Sequence, residues 1–211
     1  VIAPALLSAL AGLDRTAFAQ SFLAHPLVCA TIAGTIAGDP QAGLWTGLCL
    51  TVFSAEHIPV GESRIRDWSS VAVAAAFAVA HRDEATQGLV LVCAALCALP
   101  AGRAIRGVRA LMLRMRDAVD DESLARRPGL ILRMQLAGLS LHLLRGALVG
   151  TLIYSLLRFL ASSVRLEGTL AEGLGLFWQL AAVAGLPVLF RVHVRARLRG
   201  RLAEARQWER A

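Results

Sequence analysis

Charge-free runs alternate with short charged clusters along the 211 residues. The runs are Thr16–Gly38, Pro40–Ala55, Trp68–His81, Ala85–Gly102, Met134–Leu157 (interrupted only by Arg145) and Gly173–Phe190. A helix needs about 20 apolar residues to cross a bilayer, so several of these runs are too short to span one alone. Short apolar segments broken by Gly and Pro are the pattern of re-entrant or discontinuous helices, which survive at membrane depth only where protein or a cavity covers the backbone. The pattern predicts an all-α integral membrane protein: a multi-pass helical bundle with re-entrant or broken hairpins and an interfacial amphipathic helix.

Two Gly-x-x-x-Gly units, Gly34–Gly38 and Gly43–Gly47, flank Asp39-Pro40. Glycines at that spacing leave a flat stripe on which a second helix can lie close, and Pro40 argues against one helix running through Asp39. Two closely packed helices joined by a tight turn are predicted. Gly146–Gly150 repeats the spacing further on. From Arg103 the pattern changes. Arg103, Arg106, Arg109, Arg114 and Arg116 alternate with Ile105, Val108, Leu111, Met112 and Met115, as on a helix lying along a membrane surface. An acidic cluster at Asp117, Asp120, Asp121 and Glu122 follows, and Arg126-Arg127-Pro128 breaks the chain before the next apolar segment. This divides the chain into an N-terminal membrane region (1–102), a cytoplasmic-side amphipathic helix with its acidic loop (103–128), C-terminal membrane helices (129–190) and an Arg-rich tail (191–211).

Composition agrees with the membrane reading: 56% of residues are hydrophobic and only 18% charged, too oily for a water-soluble globule. The net charge of +7 comes from Arg alone, since the chain has no Lys. Eight of the 22 arginines lie between Arg103 and Arg133 and seven between Arg191 and Arg210. Both blocks border apolar stretches, so they read as juxtamembrane cytoplasmic charge rather than a nucleic-acid face. The two apolar segments between them return the chain to the same side and leave the loop Ala161–Glu172 facing outward. The start Val1–Leu13 lacks a basic n-region and runs into Asp14-Arg15, so it is not read as a cleavable signal.

No hydrolase, metalloprotease, nucleotide-binding or zinc signature is present, and no cofactor or self-contained catalytic site is expected. Cys29, Cys49, Cys93 and Cys97 lie inside apolar runs and read as small core residues. What remains are polar groups in apolar surroundings, which are costly in a membrane and become functional candidates for that reason. They are Asp14-Arg15, Glu56-His57, Glu62, Arg64, Arg66-Asp67, and His142 with Arg145. Carboxylates and guanidiniums on a cavity wall suit a polyhydroxylated ligand, since each exchanges several hydrogen bonds with sugar hydroxyls. Asp67 is the preferred acceptor, with a salt bridge to Arg64 or Arg66 as the competing role. Asp14 lines a path or caps the following helix; Glu56 and His57 face the cavity or mark an aqueous boundary; Asp39 reads as a turn residue. Arg145 needs a buried partner, and Asp14, Glu56 and Asp67 are equally open to it.

The order Leu13-Asp14-Arg15-Thr16, Gln20, His25-Pro26-Leu27, Gly34, Gly38-Asp39-Pro40, Gly43, Gly47, Pro59-Val60-Gly61 and Asp67, continued by Gly102-Arg103 and Leu143-Leu144-Arg145, resembles the mannose/sorbose-type IIC membrane component of the bacterial sugar phosphotransferase system. The likeness covers roughly the first 160 residues. It implies a permease subunit that forms a sugar path with a IID-type membrane component and receives phosphoryl chemistry from soluble IIA and IIB proteins, in the bacterial inner membrane with a cytoplasmic C-terminus. Sugar and lipid bilayer are the implied contacts, with no nucleic acid. Asp67, Asp14, Thr51, Glu56 and Arg66 are the implied sugar-binding positions, and Arg145 a structural intramembrane charge. The chain departs from the family pattern in having Arg66 where Pro usually precedes the Asp, Thr51 where Gln or Glu is usual, and His25 for Arg. After Gly185-Leu186-Pro187 it becomes Arg-rich where the family continues with hydrophobic sequence. A non-transporting relative that serves as a membrane scaffold or sensor for soluble phosphotransferase proteins is the alternative these departures allow.

Overall fold

A computed structural model describes residues 1–16, 22–55, 66–117 and 128–184. Among them the chain is helical with no strand: α1 (Ile2–Thr16), a 3-10 turn (Phe22–Ala24), α2 (Pro26–Ala37), α3 (Pro40–Ala55), α4 (Trp68–Val79), α5 (Glu84–Asp117), α6 (Pro128–Ser163) and α7 (168–184). Two of these, Glu84–Asp117 and Gly129–Ser163, are long and apolar enough to cross a membrane. With 12 residues each, α2 and α4 extend about 18 Å at 1.5 Å per residue, short of the roughly 30 Å hydrocarbon core. This is an all-α membrane protein built from short inserted helices held by two long ones.

The centre is α4. It packs against α1, α2, α3, α5 and α6, and every one of its residues except Phe77 is buried. Its sequence is apolar all round, as a helix without a solvent or lipid face must be. Small side chains dominate it, so its neighbours come close.

α2 and α3 form the predicted hairpin. Pro26 starts α2 at the position where a missing N–H costs nothing, and Gly38, with φ 84, ends it in the left-handed conformation that glycine adopts without strain. The Gly38 and Asp39 amides close the turn by donating to the Thr35 and Gly34 carbonyls. A Cβ on Gly34 would lie 2.5 Å from the Gly43 Cα, so the two backbones touch there. Gly146 and Gly150 serve α6 in the same way: they receive α1 at Ser8 and Ala9, where a Cβ on Gly146 would stand 2.7 Å from the Ser8 carbonyl oxygen.

The structure differs from the sequence reading at Arg103. The amphipathic stretch is the second half of α5, which runs unbroken for 34 residues through Pro100. Ala94, Ala98, Ala101, Gly102 and Ile105 form one buried stripe across the change of polarity, and packing along it holds the helix together where Pro100 removes one ladder hydrogen bond. α6 begins at Pro128, as the break before it predicts.

Candidate functional site

Asp67 precedes α4 and is completely buried. It caps the helix: Oδ1 accepts from the Ser70 amide at 3.2 Å and the Ser69 hydroxyl at 2.9 Å, while Oδ2 accepts from the Ser70 hydroxyl at 2.9 Å. Oδ2 also accepts from Nη1 of Arg145, 78 residues away on α6, at 2.6 Å. The Arg145 side chain is 3% exposed, so both charges have left solvent. Pairing and hydrogen bonding are what make two such charges tolerable in an apolar interior. Of the three carboxylates open to Arg145 from sequence, Asp67 is in contact with it; the side chains of Asp14 and Glu56 lie outside the described residues.

The pair joins three helices. α1 supplies Gly12, where a Cβ would stand 2.8 Å from Nη2 of Arg145, so the guanidinium lies over bare backbone. The Nε and Nη2 groups of Arg145 have no hydrogen-bond partner among the described residues, and neither does Nδ1 of buried His142 one turn earlier. Beside Asp67, Arg66 lies half-buried with its guanidinium 6.0 Å above the Trp68 ring, and Trp68 stacks on Phe53 of α3. Cys29 of α2 approaches the same corner, its thiol 3.5 Å from the Ser69 carbonyl oxygen. The site has donors and acceptors for a polar ligand, held between the short helices and α6, and among the described residues no nucleophile is paired with a base there.

The other named residues distribute unevenly. Thr51 is buried on α3, where its hydroxyl donates to the Gly47 carbonyl one turn back at 2.7 Å. Asp14 is described by its backbone alone, in the last turn of α1, and Glu56, His57, Glu62 and Arg64 lie outside the described residues. Asp67, Arg145 and Arg66 are thus the members that the structure brings together. Gly12 had no signal in the sequence, being one apolar-helix glycine among many. No group of His, Cys, Asp or Glu among the described residues could hold a metal ion. The four cysteines are free, with Cys29 and Cys49 fully buried.

Two clefts lie away from the pair. One, of about 740 Å³, separates the second half of α5 from the start of α6 and is lined by all three methionines, Met112, Met115 and Met134, with Arg109, Gln135 and His142. The other, of about 600 Å³, opens beside the α2–α3 turn.

Asp39 organises that turn. Its carboxylate accepts from the Ala42 amide and, across 42 residues, from the His81 amide, both at 3.0 Å. His81 returns the contact through Nε2, 3.2 Å from the Ala37 carbonyl oxygen, and holds a φ of 59. Partial burial raises the Asp39 pKa, but the amide donors outweigh it and hold the carboxyl below its ordinary value. A folded pKa below the unfolded one means that the stabilisation is fully present above about pH 4 and is lost as pH falls through the folded value. Amide exchange at His81, corrected for intrinsic rates, is therefore expected to lose protection on acidification below about pH 4, and Asp39→Asn to abolish that pH dependence. Equal protection at pH 6 and pH 3 in the wild type would rule this out.

The model of one protein family, described as the PTS system sorbose-specific IIC component, matches residues 1–192. The chain belongs to that family. Comparison with curated proteins and with solved structures gives no match. Membership makes the chain a membrane component of a sugar phosphotransferase system, with a sugar as substrate and other proteins of the system as partners. The sorbose-specific IIC match also runs through α7 and past residue 160, where the motif resemblance faded.

Proposed function

We propose that this chain binds and translocates a hexose-type sugar together with a IID-type membrane companion, while soluble IIA and IIB proteins deliver the phosphoryl group. The observation that carries the reading is the buried Asp67–Arg145 pair: a polar centre at the junction of short and long helices, in a chain of this family, with guanidinium N–H groups left over. Asp67 and Arg66 are the proposed ligand residues at this junction, with Thr51, Asp14 and Glu56 as further proposed sugar-binding positions. Sugar hydroxyls accept from the remaining Arg145 donors and donate to Asp67 by displacing a serine hydroxyl. One observation favours the scaffold alternative. The Ser69 and Ser70 hydroxyls, the Ser70 amide and Arg145 already fill the ordinary acceptor positions of Asp67, and the Thr51 hydroxyl is taken by its own helix.

Uptake of radiolabelled hexoses decides between them, in bacterial cells without their own hexose systems. Transport requires uptake that depends on both this chain and a IID-type companion, and Arg66→Pro with Thr51→Gln is expected to strengthen sugar binding by restoring a rigid turn and a longer-reaching amide. No uptake with the full set of components, with soluble phosphotransferase proteins still recruited to the membrane, would establish the scaffold. For orientation, we place both Arg blocks in the cytoplasm of a bacterial inner membrane. Single cysteines at Ser123 and Gln207, in a background lacking the native four, are then shielded from impermeant reagents outside, and one at Ser162 reacts.

A further inference from the structure

The cleft beside the α2–α3 turn has the chemistry of a sugar site in its own right. Its volume of about 600 Å³ is within the range of small-molecule pockets, about 300–1,000 Å³. Trp45 of α3 and Trp178 of α7 line it together with Asp39, Gln41, Arg82 and Glu84. A pyranose has one face of C–H bonds and a rim of hydroxyls. An indole face covers the first, and carboxylate, amide and guanidinium groups meet the second.

The polar groups are held in place before any ligand arrives. Asp39 is fixed by the Ala42 and His81 amides. Oε2 of Glu84 accepts from the Gln179 amide at 2.8 Å, which ties the start of α5 to α7. Each of these carboxylate oxygens keeps a further acceptor position. Side chains fixed in this way lose little entropy on binding. The charge balance is acidic, with Asp39, Asp83 and Glu84 against Arg82, which favours a neutral polyol over an anion.

Position adds the role. Glu84 begins α5, and the arginines 103–116 occupy the other half of the same helix, roughly 29–48 Å away along it. With the Arg end in the cytoplasm, the cleft opens on the outer side. We infer that it is an outer capture site for an unphosphorylated hexose, occupied before the sugar reaches the intramembrane pair. This rests on the transport reading and orientation proposed above.

The test is equilibrium binding of radiolabelled D-mannose and L-sorbose to the purified full chain, together with uptake in cells. Trp45→Leu removes the stacking face, and Gln41→Ala changes an exposed side chain that the fold does not need. Both variants are expected to weaken binding at least tenfold, the matching hexose 6-phosphates to compete at least tenfold less well, and uptake to show a raised KM with the maximal rate unchanged. Binding by wild type that both variants retain in full, with uptake unaffected, overturns the capture site and leaves transport standing. Binding that depends on Trp45 and Gln41 without any uptake upholds the cleft and removes the transport reading. Neither binding nor uptake removes both.

Discussion

Arg145→Leu is expected to destabilise the protein by about 3–5 kcal/mol, because it takes the guanidinium away from a fully buried carboxylate that accepts from it at 2.6 Å. Asp67→Asn alone should cost a similar amount by stranding the guanidinium. The two changes together should recover much of the loss. Asn keeps an oxygen acceptor for the Ser70 amide, so the α4 cap survives, and Leu fills part of the space of the removed guanidinium stem. Thermal unfolding of the detergent-solubilised protein, followed by circular dichroism, measures the cycle. An Arg145→Leu protein that unfolds at the wild-type temperature would mean that the pair contributes nothing to the fold. The same cycle bears on ligand studies, since sugar affinities measured on Asp67→Asn have to be separated from its loss of structure.

Gly43→Val should be equally damaging for a different reason. A Cβ there would stand 2.6 Å from the Ala30 carbonyl oxygen and 2.7 Å from the Gly34 Cα. Both obstacles are backbone, so no side chain can swing aside and the hairpin must open. Overpacking typically costs about 1–3 kcal/mol, and a forced separation of two helices lies at the upper end or beyond. Gly107→Ala is the control: nothing lies within 4 Å of its would-be Cβ, and the exchange should gain roughly 0.5–1 kcal/mol of helix stability. If both variants unfold alike, the close approach of α2 and α3 is not what holds them.

Elements whose causes are local could be read from the chain. Gly34, Gly38, Pro40, Gly43 and Gly47 announced the α2–α3 hairpin, because turn conformation and close approach both demand glycine at fixed spacing. The charge-free run Trp68–His81 gave α4 nearly to its ends, since an apolar segment bounded by Asp67 and Arg82 has few other folds available. The continuity of α5 was hidden. Polarity changes at Arg103 and a proline stands at 100, yet the buried stripe on one side of the helix carries it through, and such a stripe is fixed only by what packs there. The site was half legible. The cost of an intramembrane Arg implied a partner for Arg145, but choosing Asp67 required two residues 78 positions apart to be brought together. Gly12 and the cleft around Trp45 and Trp178 depend on contacts between helices distant in sequence, for which no local pattern exists.

The length of α6 makes it a lever. Its 36 residues extend about 54 Å, and tilting into a roughly 30 Å core would take more than the about 40° seen at the extreme, so one end stands beyond the hydrocarbon. The stretch from Arg145 to Pro128 is an arm of roughly 25 Å whose fulcrum is the contact with Asp67. A rotation of roughly 10° about that point swings the tip by about 4 Å, about the diameter of a methyl group, while the pair itself hardly moves. The methionine-lined cleft sits along this arm. A small tilt of α6 therefore changes the width of that cleft by up to about 4 Å, with no element needing to unfold.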